Sequence, residues 1–273
     1  MLGKLLKYEF KATARTLLPL YAVLLAWSLL THLTVMRDNM KMLIPDSFSG
    51  ILQAIILMAY GCILGTVCIV TVLLLIQRFY KNLLRDEGYL MHTLPVATWQ
   101  NIAAKLIPAV LWSTFSIVAV MLSAMILGLD FTDWHTMFSV IGVSIRLFTE
   151  EIGLHWMFYA LEVLLLIIVA LAGSILEVYL ALAAGHMADN RRILWSVAAY
   201  IGISLLLSLF TMLLMYIFGG DMFDFLNGLL QNTYTPIRGA HMVLCGLVLV
   251  NLVKDAIFFL GTNYLMKRHL NLE

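Results

Sequence analysis

Four ionisable side chains lie where such groups are costly. Glu162 and Glu177 share one long apolar run, and Lys254 and Asp255 lie near the middle of another, with Asn251 one turn away. A charge deep in hydrocarbon costs about 3 kcal/mol on insertion scales, so each needs a partner or a task. Glu162 and Glu177 stand fifteen residues apart, which leaves them about 60° apart on a helical wheel, roughly on one face. Two readings fit this placement. One is pairing inside a helix bundle, Lys254 with Asp255 or with Glu177. The other is a polar path for a substrate, or a lock between subunits. Metal chemistry has little support: His32, His92, His135, His155, His186, His241 and His269 are scattered, with no HExxH or related ligand spacing. Cys62, Cys68 and Cys245 lie in apolar runs, where a thiol behaves as a small hydrophobe, and they form no CxxC pair. No GxxxxGK[ST] phosphate loop occurs, so the chain lacks the usual means of binding ATP.

The elements that must position these groups follow from composition. Of 273 residues, 62% are hydrophobic and 12% charged, against about 25% charged in an average soluble domain. A soluble fold of this size cannot hide that much apolar surface. The reading is an all-α integral membrane protein, one transmembrane domain over 1–273. Six runs reach the length of about 20 residues that a spanning helix needs: 17–36, 51–76, 106–129, 156–182, 194–218 and 240–264. A spanning barrel would instead show alternating apolarity. No small-x-small cleavage site follows the first run, so the runs are expected to stay in the mature protein. The net charge of +1, without an Arg-rich run, gives no footprint for nucleic acid.

Orientation follows from Lys and Arg. With the N-terminus inside, the inner segments hold twelve: Lys4, Lys7, Lys11, Arg15, Arg78, Lys81, Arg85, Lys105, Arg191, Arg192, Lys267 and Arg268. The outer segments hold four: Arg37, Lys41, Arg146 and Arg238. Both termini are therefore expected in the cytoplasm. Residues 1–16, MLGKLLKYEFKATART, read as an amphipathic helix on the inner leaflet. Its cations fall within a stripe of about 80° near anionic lipid head groups. Glu9 interrupts the apolar face, either fringing it or meeting a partner protein. On the outer side, Gly219 and Gly220 open a segment, 219–239, that can form short helices dipping back into the leaflet.

The main inner segment is 77–105, RFYKNLLRDEGYLMHTLPVATWQNIAAK from Arg78. Gly88 permits a sharp turn after Asp86 and Glu87. Pro95 biases Leu94 toward extended geometry, and Thr98 suits an N-cap for the helix entering the third span. The segment presents Tyr89, Leu90 and Met91 beside two carboxylates. An aromatic and apolar knob ringed by charge is the composition of a docking surface, and equally of a loop packed on its own bundle.

This segment resembles the loop between the second and third spans of ABC-2-type transporter permeases, in a bacterial exporter branch. The shared pattern, F-Y-x-x-L-x-x-D-E-G-Y-L-x-x-T-L-P-V, is met by Phe79, Tyr80, Leu83, Asp86, Glu87, Gly88, Tyr89, Leu90, Thr93, Leu94, Pro95 and Val96. The opening LLKYEFKAT…LPLYA and the closing KRHLNLE resemble that branch too. The resemblance implies a permease in the bacterial cytoplasmic membrane, paired with an identical copy or a paralogue. Each permease would rest on a cytoplasmic ATPase subunit through a coupling helix in 77–105 and an elbow helix in 1–16. ATPase contacts would then be Glu9, Asp86, Glu87, Gly88, Tyr89, Leu90, Thr93, Leu94 and Pro95. The segment 219–239 would be a re-entrant outer gate. The chain itself would hold no cofactor and catalyse nothing; ATP and Mg would be bound by the partner.

Two other readings compete. TEEIGLHW carries paired glutamates, Glu150 and Glu151, like CAAX-protease-like membrane peptidases, with His186 and His241 available as ligands. That family expects an arginine where this chain has His155, and the pair maps to an outer segment. The third reading is a non-transporting membrane partner of a sensor system.

Overall fold

The computed structural model describes residues 2–36, 46–84, 97–128, 139–140, 142–144, 146–147, 153, 155–188, 190–231 and 236–268. Six long helices dominate them: α1 Leu2–Thr31, α2 Asp46–Phe79, α3 Thr98–Gly128, α4 His155–Gly185, α5 Arg192–Gln231 and α6 Pro236–Arg268. Wider-wound π segments, His32–Met36 and Tyr80–Leu84, continue α1 and α2. All six helices contain stretches long and apolar enough to cross a membrane. Helices suit this composition because each closes its own backbone hydrogen bonds. Hydroxyls and amides do likewise: Thr71 and Thr262 donate to the carbonyls of Val67 and Phe258 at 2.7 and 2.8 Å, and the Asn251 amide to that of Leu247 at 2.9 Å. Such back-bonding makes polar residues tolerable in apolar helices.

Two expected boundaries differ from what is observed. The division between a surface helix, 1–16, and a first span falls inside the unbroken α1, just before Pro19. Proline removes one helical hydrogen bond, and its neighbours carry the helix past it. Gly219 and Gly220 likewise lie inside α5; a glycine costs a helix only about 1 kcal/mol. At the start of α3, Thr98 is the first helical residue and Ala97 stands at the cap, its carbonyl accepting the Gln100 N–H at 2.8 Å.

The chain forms two compact units, Met1–Gln77 with Ile107–Arg146, and Arg78–Leu106 with Leu147–Glu273. In the first, α1 buries a stripe at three- and four-residue spacing: Thr13, Leu17, Tyr21, Leu24, Ser28 and Thr31. This stripe packs with Tyr60 and Val67 of α2 and with Trp112 and Ala119 of α3. Phe10 lies against Trp112, ring centroids 5.4 Å apart. Hydroxyls stitch the same core: Ser116 meets Tyr21 at 2.5 Å and Thr71 at 3.0 Å, and Tyr60 meets Ser123 at 3.0 Å.

The second unit packs α4, α5 and α6 with the two stems of the polar segment. Its core holds Phe79, Leu83 and Leu84 from one stem, Ile102 from the other, Leu176, Tyr179 and Ala183 from α4, and Phe258 and Met266 from α6. The connection from α4 to α5 is short. Arg191 takes a left-handed φ of 55°, and the Ala188 N–H donates back to Gly185 O at 3.3 Å. Gly185 lies on Ser196, so the chain reverses at the closest backbone approach that a glycine permits.

Candidate functional site

The described candidate side chains concentrate in the second unit, on α4 and α6. At the N-terminal ends of these helices, Glu162 receives His241 Nδ1 with both oxygens, at 2.8 and 2.9 Å. The two side chains are about one-fifth exposed, 18% and 21%. Tyr159, one turn before Glu162, stacks flat on the His241 ring at 4.1 Å and 8°. The His155 ring is 5.6 Å from that of His241. Cys245, one turn after His241, points its thiol at Glu162 Oε1 from 3.8 Å. Helical spacing brings this group together: 155, 159 and 162 share one face of α4, and 241 and 245 one face of α6. Among the described residues, no group of three or more His, Cys, Asp or Glu is arranged to hold a metal.

Half-way along α4 lies a second polar group. The buried Asp255, 8% exposed, stands against Gly173 with Lys254 beside it, Nζ to Oδ1 4.0 Å. Lys254 also donates to Asn251 Oδ1 at 3.1 Å. One turn further along α4, Glu177 accepts the Ser204 hydroxyl of α5 at 2.5 Å. Lys254 thus turns to Asn251 and Asp255, and Glu177 to a serine. A small residue at 173 lets α4 approach this pair. Gly173→Ala should therefore lower stability by about 1 kcal/mol, because the new methyl displaces the Asp255 carboxylate. In an Asp255→Ala background the same change should raise stability by up to about 1 kcal/mol through helix propensity, once the flexible end of Lys254, 3.0 Å from the new methyl, swings aside. Thermal unfolding of the four variants in detergent reads the change of sign.

The polar segment is anchored at both stems. Phe79, fully buried, stacks on Tyr179 of α4, centroids 3.7 Å apart and rings 11° from parallel. Tyr80 meets His186 edge-on at 5.4 Å. Asn101 and Lys105 of the returning stem are buried as well. The residues between the stems, including Asp86, Glu87, Gly88, Tyr89, Leu90, Thr93, Leu94 and Pro95, lie outside the described residues. Glu9 is half-buried on α1, its carbonyl accepting the Thr13 hydroxyl at 2.7 Å.

Of the two histidines a membrane peptidase would recruit, His241 pairs with Glu162 and His186 follows the far end of α4. The 24 residues between Glu162 and His186 put them roughly 35 Å apart at the helical rise. Glu150 and Glu151 lie outside the described residues. The residue pattern did not point to His241 as the partner of Glu162, nor to Tyr159, Ser204 or Gly173. The available signal was positional: His155, Tyr159 and Glu162, and then His241 and Cys245, recur at helical spacing. Comparison with protein-family profiles, curated proteins and solved structures finds no match to this chain.

Proposed function

We propose that this chain is the membrane-spanning permease subunit of an ATP-driven exporter. It would work as a pair of permeases on separate cytoplasmic ATPase subunits, in a bacterial cytoplasmic membrane with both termini inside. The observation that carries this reading is the D-E-G-Y-L-x-x-T-L-P-V pattern of residues 86–96, whose flanking stems on both sides are buried in one helical core. A docking loop that must deliver force needs stiff stems, because a loop tethered loosely absorbs the push. Six membrane-length helices and the absence of a phosphate loop from the sequence fit a permease that borrows its motor. In this reading Asp86 to Leu90 enter a groove of the ATPase. The first turns of α1, with Glu9 at their edge, serve as the elbow.

The test is to purify the tagged chain in mild detergent after co-expression with any ABC ATPase that its neighbouring genes encode. The native chain should retain one of them, with Mg-ATP hydrolysis. Asp86→Ala with Glu87→Ala, and separately Tyr89→Ala, should lower retention at least about tenfold if the loop supplies an interface hot spot. Failure of every neighbouring ATPase to bind would overturn the reading, and so would retention unchanged in the variants.

A further inference from the structure

Resting on the permease reading, we propose that the Phe79–Tyr179 stack is the joint through which displacement of the polar loop enters α4, with Tyr179 the receiving residue. The stems of the loop are packed into a core shared with α4 and α6, where Phe79 stacks on Tyr179. Phe79 is 0% and Tyr179 2% exposed, and their rings lie face to face. Leu83, Leu84 and Ile102 close around them with Leu176 and Ala183 of α4, and with Phe258 and Met266 of α6. A core packed at this density compresses little and transmits strain to its neighbours. Flat stacked rings resist compression along their normal, so a push on the first stem is passed to the backbone of α4 at position 179.

What α4 carries gives the joint its consequence. Two residues before Tyr179, Glu177 binds Ser204 of α5. Further along the same helix, Gly173 rests on Asp255, and Glu162 holds His241 of α6. A shift of α4 entering at Tyr179 therefore strains each of these polar contacts to α5 and α6 in turn. Tyr179 touches neither the ATPase nor a substrate in this scheme. It is a positioning residue acting through α4.

The test uses the chain reconstituted in vesicles with its ATPase. Cys62, Cys68 and Cys245 are changed to Ala, and the exposed Leu161 of α4 is changed to Cys to carry an environment-sensitive fluorophore. The probes are Mg-ATP and Mg-ATP with vanadate. The native complex should show a nucleotide-dependent change in emission. Tyr179→Leu, which keeps an apolar side chain and loses the stack, should reduce that change roughly tenfold, within the usual range of coupling effects. Binding and basal ATP hydrolysis should stay within about twofold of native. Tyr179→Phe and Phe79→Tyr retain two rings and should retain the signal. Should Tyr179→Leu fail to assemble, Phe79→Leu carries the same expectation from the other side of the stack.

A full signal in an assembled leucine variant would overturn the joint and leave the permease reading standing. Loss of the signal in Tyr179→Phe would overturn it equally, since the hydroxyl and not the stack would then matter. A native complex that hydrolyses ATP without a signal on α4 would also overturn it. If no ATPase binds the native chain, the permease reading falls and takes the joint with it.

Discussion

Gly185→Ala is expected to cost roughly 3–4 kcal/mol of folding stability, among the largest effects of any single methyl group in this chain. A Cβ at 185 would fall on the Oγ, the backbone nitrogen and the Cα of Ser196. Two of these three atoms are main chain, so no rotamer change relieves the overlap. The first turn of α5 would have to withdraw. That turn is held by the short connection from 186 to 191, by the left-handed Arg191, and by the Ser196 hydroxyl bond to Arg192 O at 2.9 Å. Withdrawal would open the α4–α5 packing at its root. Ser196→Ala should give no rescue, because it removes the hydroxyl and leaves the obstructing backbone in place. Gly61→Ala is the control: open space surrounds that position, and the helix should gain up to about 1 kcal/mol. Thermal unfolding in detergent separates the cases. A Gly185→Ala protein as stable as native would mean that α5 is not seated on α4 as described.

This turn shows where sequence reading stops. The six membrane-length runs were legible because length and apolarity decide them, and all six reappear as helices. Their ends were less so. Helix α2 runs past its apolar run to Phe79, since a backbone stays helical after its side chains turn polar, whereas the start of α3 at Thr98 lies one residue from the expected cap. Charge periodicity marked residues 1–16 as one surface and apolarity marked 17–36 as another, yet neither signal breaks a helix, and α1 passes through both. Glu162, Glu177, Lys254 and Asp255 stood out as chemically costly. Their partners did not, because partners are a property of packing. His241 is 79 residues from Glu162 and Ser204 is 27 from Glu177. Nothing local in either stretch forecasts the meeting. Gly173 and Gly185 looked like any glycines in apolar helices until the neighbouring helix was in place.

The Glu162–His241 pair yields the second large effect. Removing either partner alone, Glu162→Leu or His241→Leu, should cost about 1.5 kcal/mol, because a largely buried polar group that had a partner is left without it. Removing both should restore most of that loss, since a packed apolar pair can match or exceed a buried ion pair. The exchange Glu162→His with His241→Glu should recover stability as well, if the two-oxygen geometry at 2.8 and 2.9 Å survives reversal. A double-mutant cycle in thermal unfolding should then report a coupling of roughly 2 kcal/mol. A coupling near zero would mean that the contact contributes nothing, and that Tyr159 and Cys245 hold the two side chains independently. The double leucine variant also divides structure from function. A polar pair that stabilises no better than two leucines has no reason in stability to be placed between membrane-length helices. If that variant folds as well as native and loses nucleotide-driven motion of α4, the pair serves the working cycle, as a contact that can be broken and remade. If it folds and moves as native, the polar pair is interchangeable with apolar packing, and the functional weight shifts to Glu177, Lys254 and Asp255.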